Sequence, residues 1–201
     1  MTVIATERQS NFAAVSGMYE LLSRLWLHEV DDEFVSELGG SDLRAAFEAV
    51  GGFVPARADV EELKTEYCRL FVGPRDHLPP LQSVWMRGSL QSEITTSIEM
   101  FASAVRYESQ ETMHDHLGVL LAIMSHATEL NSDSACEDAL DFAREFFRRH
   151  LTWTGELLAA VEQRAEHSFY ESLAIMTREF LRDEGEIWLD HSGKSDQGSS
   201  A

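Results

Sequence analysis

Lysine is almost missing from this sequence. Of sixteen Lys and Arg residues only Lys64 and Lys194 are lysines, against thirty-five Asp and Glu, and the formal net charge is −19. A field of that sign repels phosphate backbones and anionic lipid, which argues against nucleic-acid binding and stable membrane insertion. It favours basic partners, with an association rate that falls as salt rises. The plainer reading is a solvated or salt-adapted surface. Cysteine is scarce as well. Cys68 and Cys136 lie far apart, form no CxxC and fall in helical patterns, so two reduced structural thiols are expected. Apolar runs such as Leu117–Met124 are too short to span a bilayer. Met1–Ser10 is polar and lacks the apolar core of a secretory signal. These absences together predict a cytoplasmic protein. Four prolines and twelve glycines leave room for long helices.

What the sequence has in abundance is helical periodicity. Phe12, Val15, Met18, Tyr19, Leu22, Leu25 and Trp26 recur every three or four residues. Asp31 and Asp32 read as caps of a short helix through Phe34, Val35 and Leu38. Ser41 opens the next, and Gly51-Gly52 stop it. Asp59 with Glu62, and Ser168 with Glu171, have capping-box spacing. Further apolar faces follow at Ile94–Val105, Leu117–Met124, Leu140–Leu151, Leu157–Val161 and Phe169–Leu181. No segment sustains the period-2 pattern of a strand. The expectation is an all-α fold: a single globular multi-helix domain over residues 1–190, with eight or nine helices and a disordered tail at 191–201. One segment breaks the pattern. Gly73–Pro80 holds three of the four prolines and reads as a stiff, irregular loop between helices.

Catalytic signatures are sparse. Gly193-Lys194-Ser195 lacks the upstream glycine of a P-loop, since position 188 is Trp188. There is no GxGxxG, GxSxG or HExxH. Glu111 and His114 make a single E-x-x-H, where a di-iron bundle needs two. His114 and His116 would point about 200° apart on a helix, so they cannot share a metal there. No catalytic residue, cofactor or metal is therefore expected. Asp115 reads as the cap of the helix that follows, and His116 as a polar group in apolar surroundings. Trp26, Trp153 and Trp188 fall at helical spacing and read as core. Trp85 instead follows the proline loop, where an aromatic can line a groove for an apolar segment.

Tyr67-Cys68-Arg69-Leu70-Phe71-Val72-Gly73-Pro74, Pro79-Pro80 and Ser83-Val84-Trp85 resemble the hallmark of the TorD/DmsD chaperones, related to NarJ. Glu111, Asp115, His116 and Leu117 resemble the family's second motif, with His114 where the family has proline. A weaker third stretch runs from Phe146 through His150-Leu151 to Trp153. The resemblance implies an all-helical cytoplasmic chaperone, not an enzyme. Its partner would be an apo-molybdoenzyme catalytic subunit with its twin-arginine leader, held until cofactor insertion and before export. Weak guanine-nucleotide binding is implied by the family alone. It also implies a peptide groove in which Tyr67, Leu70, Phe71 and Trp85 form the wall. Pro74, Pro79 and Pro80 set its shape, Ser83 belongs to the same motif, and Asp115 and His116 form a polar rim. Leu70 and Phe71 read equally well as core. Two other readings stay open: a nucleotide hydrolase using Asp115 and His116, and a permanent helical subunit of a redox complex.

Overall fold

The computed structural model describes residues 2–86, 91–108, 111, 113–133 and 137–189; for 2–11, 41–43, 91–92, 131–133 and 137–140 it describes the backbone only. Cys136, Lys194 and the tail 191–201 lie outside the described residues. Among the described residues ten α-helices, more than the eight or nine expected, run in chain order: α1 (Thr2–Leu27), α2 (Asp32–Leu38), α3 (Ser41–Ala49), α4 (Val60–Tyr67), α5 (Gln82–Trp85), α6 (Gln91–Ala104), α7 (Leu117–Asp133), α8 (Glu137–His150), α9 (Gly155–Arg164) and α10 (Ser168–Leu189). Among the described residues there is no strand, only an isolated bridge between Leu81 and His116. The fold is all-α, as the periodicity predicts.

The core grows from α7. Leu117, Val119, Leu120, Leu121, Ile123 and Met124 are all buried, so the first two turns of this helix are apolar all round and must be enclosed by others. α1 lies along it, burying Tyr19, Leu22, Leu25 and Trp26. Gly118 makes the approach possible: a Cβ there would stand 2.4 Å from Leu27 Cγ and 2.9 Å from the Ser23 carbonyl oxygen. α8 packs on α7, and α10 on α8 and α9. Trp26 and Phe71 meet edge to face at 5.4 Å, joining α1 to the segment before the proline loop.

Several helix ends depart from local expectation. Asp31 caps α2 as predicted, its Oδ1 accepting from Phe34 N at 2.7 Å. Gly51, at φ +87°, ends the α3 region in the left-handed conformation that suits glycine. Asp59, however, turns back: its Oδ2 accepts from Ala56 N at 2.8 Å and closes the turn before α4. The start of α10 is held by His167 and by a residue a hundred positions away. His167 Nδ1 accepts from Phe169 N, while the buried Glu66 carboxylate accepts from Glu166 N at 2.6 Å and His167 N at 2.9 Å. An anion at a helix N-terminus is favourable in charge as well as in hydrogen bonding.

Candidate functional site

α4 does not stop at Tyr67. The chain tightens into a π-helical turn, Cys68–Val72, closed by Gly73 N donating to Cys68 O at 2.6 Å. This turn decides the fate of the first motif. Tyr67, Leu70 and Phe71 are 6%, 0% and 5% exposed. Tyr67 and Phe71 meet the Tyr170 ring of α10, Phe71 also meets Trp26 of α1, and Leu70 is fully buried, so none of the three lines an open groove. Tyr67 donates to the carbonyls of Trp26 and Leu27, closing the C-terminus of α1. Burial, with Glu29, Cys68 and Glu111 nearby, pushes its pKa up to about 12. Of the two readings of Leu70 and Phe71, core is the one that matches their position.

The proline loop returns against its own stem. Leu78 N donates to Leu70 O at 2.6 Å, and Leu78 is buried. Asp76 sits at φ 54°, and its carbonyl accepts from Arg164. Pro74 is exposed, Pro79 half-buried and Pro80 buried. Pro79 O accepts from the Trp85 indole at 2.8 Å, which fixes that half-buried ring against the loop. Beside it Val84 is 52% exposed. The loop and α5 therefore present Pro74, Val84 and one side of Trp85 outward.

Four residues make a short helix, and isolation would not sustain it. α5 is held by bonds from distant segments. Asp115, 2% exposed, accepts from Ser83 N through Oδ2 at 2.9 Å. Gln82 N donates to Asp115 O, and Leu117 N to Pro80 O at 2.7 Å. Gln82, 1% exposed, bonds Arg149 O and His150 on α8. Ser97 on α6 completes the set through His150. The three motif stretches thus meet in one hydrogen-bonded knot.

This changes the expected roles of the acidic-histidine pair. Asp115 does not cap α7; it caps α5, thirty-two residues earlier in the chain. It lies inside the knot and not on a rim. His116 caps α7 instead, with Nδ1 accepting from Gly118 N at 3.1 Å. Burial drives the His116 pKa down to about 4, against the pull of Asp115, so the ring is neutral at pH 7. Ser83 is half-buried, its N–H engaged by Asp115. His114, in the place of the family's proline, reaches Glu99 on α6 at 3.2 Å. Gln82, His150, Ser97 and Glu66 were not singled out from the sequence. Gln82 is a polar residue between Pro80 and the Ser-Val-Trp run, and His150 ends an amphipathic helix within the third stretch. Those are the only local signs of either.

A carboxylate-rich surface adjoins the stem of the loop. Glu29 accepts from the exposed Cys68 thiol at 3.3 Å, a bond that raises the thiol pKa. Glu29 and Glu111 both act on Tyr67, and Asp32 and Glu29 on Lys64. Two clefts flank α6: one of about 580 Å³ between α6 and α8, and one of about 690 Å³ between α6 and α7 that includes His114. Among the described residues no group of three or more His, Cys, Asp or Glu could hold a metal ion. No described helix is long and apolar enough to cross a membrane.

The profile of the nitrate reductase delta subunit family matches residues 37–159, more than half of the chain. The chaperone protein TorD of Shewanella pealeana is 25% identical over 206 residues, covering 87% of this chain and 89% of that protein. TorD of Shewanella piezotolerans is 26% identical over 213 residues, covering 90% and 95%. The chaperone protein YcdY of Escherichia coli K12 is 29% identical over 124 residues; the match covers 61% of this chain and spans 63% of YcdY. In fold, the chain is similar to the crystal structure of a redox enzyme maturation protein from Archaeoglobus fulgidus. The TM-score is 0.52 at 21% identity, covering 85% of this chain and 93% of the other. The motif stretches that meet around α5 thus lie in a chain that belongs to the nitrate reductase delta subunit family, the family of the TorD and NarJ chaperones.

Proposed function

We propose that the chain is a system-specific chaperone that binds the twin-arginine leader of a molybdopterin oxidoreductase in the cytoplasm. It holds the apo-enzyme until cofactor insertion and before export. The observation that carries the reading is the knot around α5. Three distant stretches spend their buried polar groups on fixing a four-residue helix whose outward side chains are Val84 and Trp85. Rigid aromatic and proline surface costs little entropy when a partner orders on it. A twin-arginine leader is basic at its front and apolar behind. The apolar part would lie on Trp85, Val84 and the prolines, and the arginines would pair with carboxylates beside Glu29 and Glu111. In this reading Tyr67, Leu70, Phe71, Asp115 and Ser83 support the surface from within. Pro74, Pro79, Trp85 and His116 touch or border the peptide. The mechanism is mass action: a bound leader is withheld from the export machinery, with no covalent step.

The hydrolase alternative needs Asp115 and His116 to act as base and orienter. Both already serve as helix caps for different helices, which leaves no such pair. The test is calorimetric titration with the leader of a candidate client, using a scrambled leader as control. Saturable binding to the true leader is expected, and Trp85→Ala should weaken it about tenfold or more while leaving helicity unchanged. Equal binding of both leaders, or an unaffected Trp85→Ala, would sink the assignment.

A further inference from the structure

The cleft between α6 and α8 is not used by leader binding, yet it holds an ordered chain of proton-carrying groups. Gln82 Nε2 donates to Arg149 O at 2.9 Å, and this fixes which way the amide faces. Gln82 Oε1 then points at His150 Nδ1, 2.9 Å away. An amide oxygen only accepts, so Nδ1 carries the ring proton and Nε2 is bare. Ser97 Oγ lies 3.0 Å from Nε2, and its hydroxyl donates to it. Gln82 and His150 are buried at 1% and 3% exposure, whereas Ser97 is half-buried and lines the cleft. Hydroxyl, base and orienter are in hydrogen-bond sequence, the arrangement that activates a nucleophile. Arg149, ion-paired with Glu145, stands on the cleft wall, and Met100 and Phe101 supply apolar surface.

We propose that Ser97 is an acylation site that accepts a small acyl group from an activated donor of the thioester or aryl-ester class. Ser97 Oγ attacks the acyl carbonyl carbon while its proton passes to His150 Nε2. The tetrahedral adduct collapses with cleavage of the donor's C–S or C–O bond. The departing thiolate or phenolate takes the proton from the imidazolium, and Ser97 is left as the O-acyl ester. Gln82 acts as a positioning residue by holding the tautomer. The claim is a single acylation, and it does not depend on leader binding. The competing account is that Ser97 only satisfies a buried histidine, and that account predicts an ordinary, unreactive serine.

The experiment treats the full chain with p-nitrophenyl acetate, and separately with a fluorophosphonate probe, and follows adducts by peptide mass spectrometry. Ser103, an exposed serine on the same helix, is the internal reference. Labelling at Ser97 should exceed that at Ser103 by about 100-fold, the lower end of what a positioned base contributes, because burial makes this ring a weak base. His150→Gln should remove most of that excess. The pH profile is the second readout. Burial and then Arg149 hold His150 down at about 4, with Glu145 opposing; α6 faces the ring with Ser97 and Phe101, and α5 with Gln82. The ring is therefore a free base from pH 5.5 to 9, and the Ser97 rate should stay level across that range. Labelling no faster than at Ser103, or a rate climbing about tenfold per pH unit as for an unassisted alcohol, would overturn the proposal. Should His150→Gln fail to fold, the profile of the unaltered protein decides alone.

Discussion

Two of the buried polar assemblies among the described residues answer the cost of burial in different ways. The knot around α5 joins the Gln82 amide to the His150 ring, with His116 beside it and the buried Asp115 carboxyl accepting from Ser83 N; burial holds both imidazoles neutral at pH 7. The other assembly ties α1 to α10. There the buried Glu184 carboxyl receives the Tyr19 hydroxyl at 3.0 Å and the Trp188 indole at 2.9 Å, both on Oε2. Burial raises the Glu184 pKa and, with Glu184, that of Tyr19. The knot has excluded charge from its imidazoles; the pin has kept an acid and raised the cost of ionising it. The first design orders a surface segment that cannot hold itself, and the second adds polar bonds where apolar packing already holds two long helices.

The largest break should come from removing the centre of the knot. Gln82→Leu keeps the volume roughly constant but strands His150 Nδ1 and the Arg149 carbonyl. One buried and one part-buried group left unsatisfied should cost about 2 kcal/mol in urea unfolding. Leader affinity should fall with it, because α5 loses its anchor to α8. A loss of stability under about 0.5 kcal/mol would mean that the knot is decoration on a segment held by packing.

The next test sharpens the contrast through pH. His116 and His150 both have folded pKa values near 4, below the ordinary 6.5. The unfolded chain then binds more protons than the fold between those limits. Stability is complete above pH 6.5 and declines as pH falls toward 4, by about 1.4 kcal/mol per pH unit for each histidine. Chemical denaturation at pH 7 and pH 5.5 measures it. His116→Gln, which keeps an acceptor for Gly118 N, should remove one histidine's share of the slope. A slope unchanged in that variant would show that His116 is solvated.

The comparison also marks where the sequence speaks and where it is silent. Helices α1, α7 and α10 declare themselves through periodicity, because an apolar face repeats locally. Asp31 is readable as a cap because its partner, Phe34, is three residues away. Asp115 looked like a cap and is one, but for a helix thirty-two residues back; spacing names the donor type and not the donor. Glu66 carries no local sign of its bonds to Glu166 and His167. Leu70 and Phe71 fit a groove wall and a core equally by pattern, and the π-turn directs them inward; Tyr67, expected in the groove wall, is buried with them. Gln82 and His150 fall inside stretches that the family resemblance marked, without revealing that they touch.

The smallest effect, and the most diagnostic of the pin, is expected from Glu184→Gln. The amide oxygen can still accept from Tyr19 and Trp188, so the geometry has no reason to change. What changes is the titration. A carboxyl whose folded pKa is raised contributes stability below its unfolded value near 4.5, and loses it as pH rises through the folded value. That sign is opposite to the histidines', so over part of the acid range Glu184 masks the slope from the knot. Removing the acid should leave stability below pH 4.5 nearly unchanged, raise it at neutral pH and steepen the decline between the two. Parallel curves for the two proteins would mean that Glu184 ionises in the fold as easily as in the unfolded chain. Burial at the pin would then cost nothing in charge, and the distinction drawn between the two assemblies would collapse.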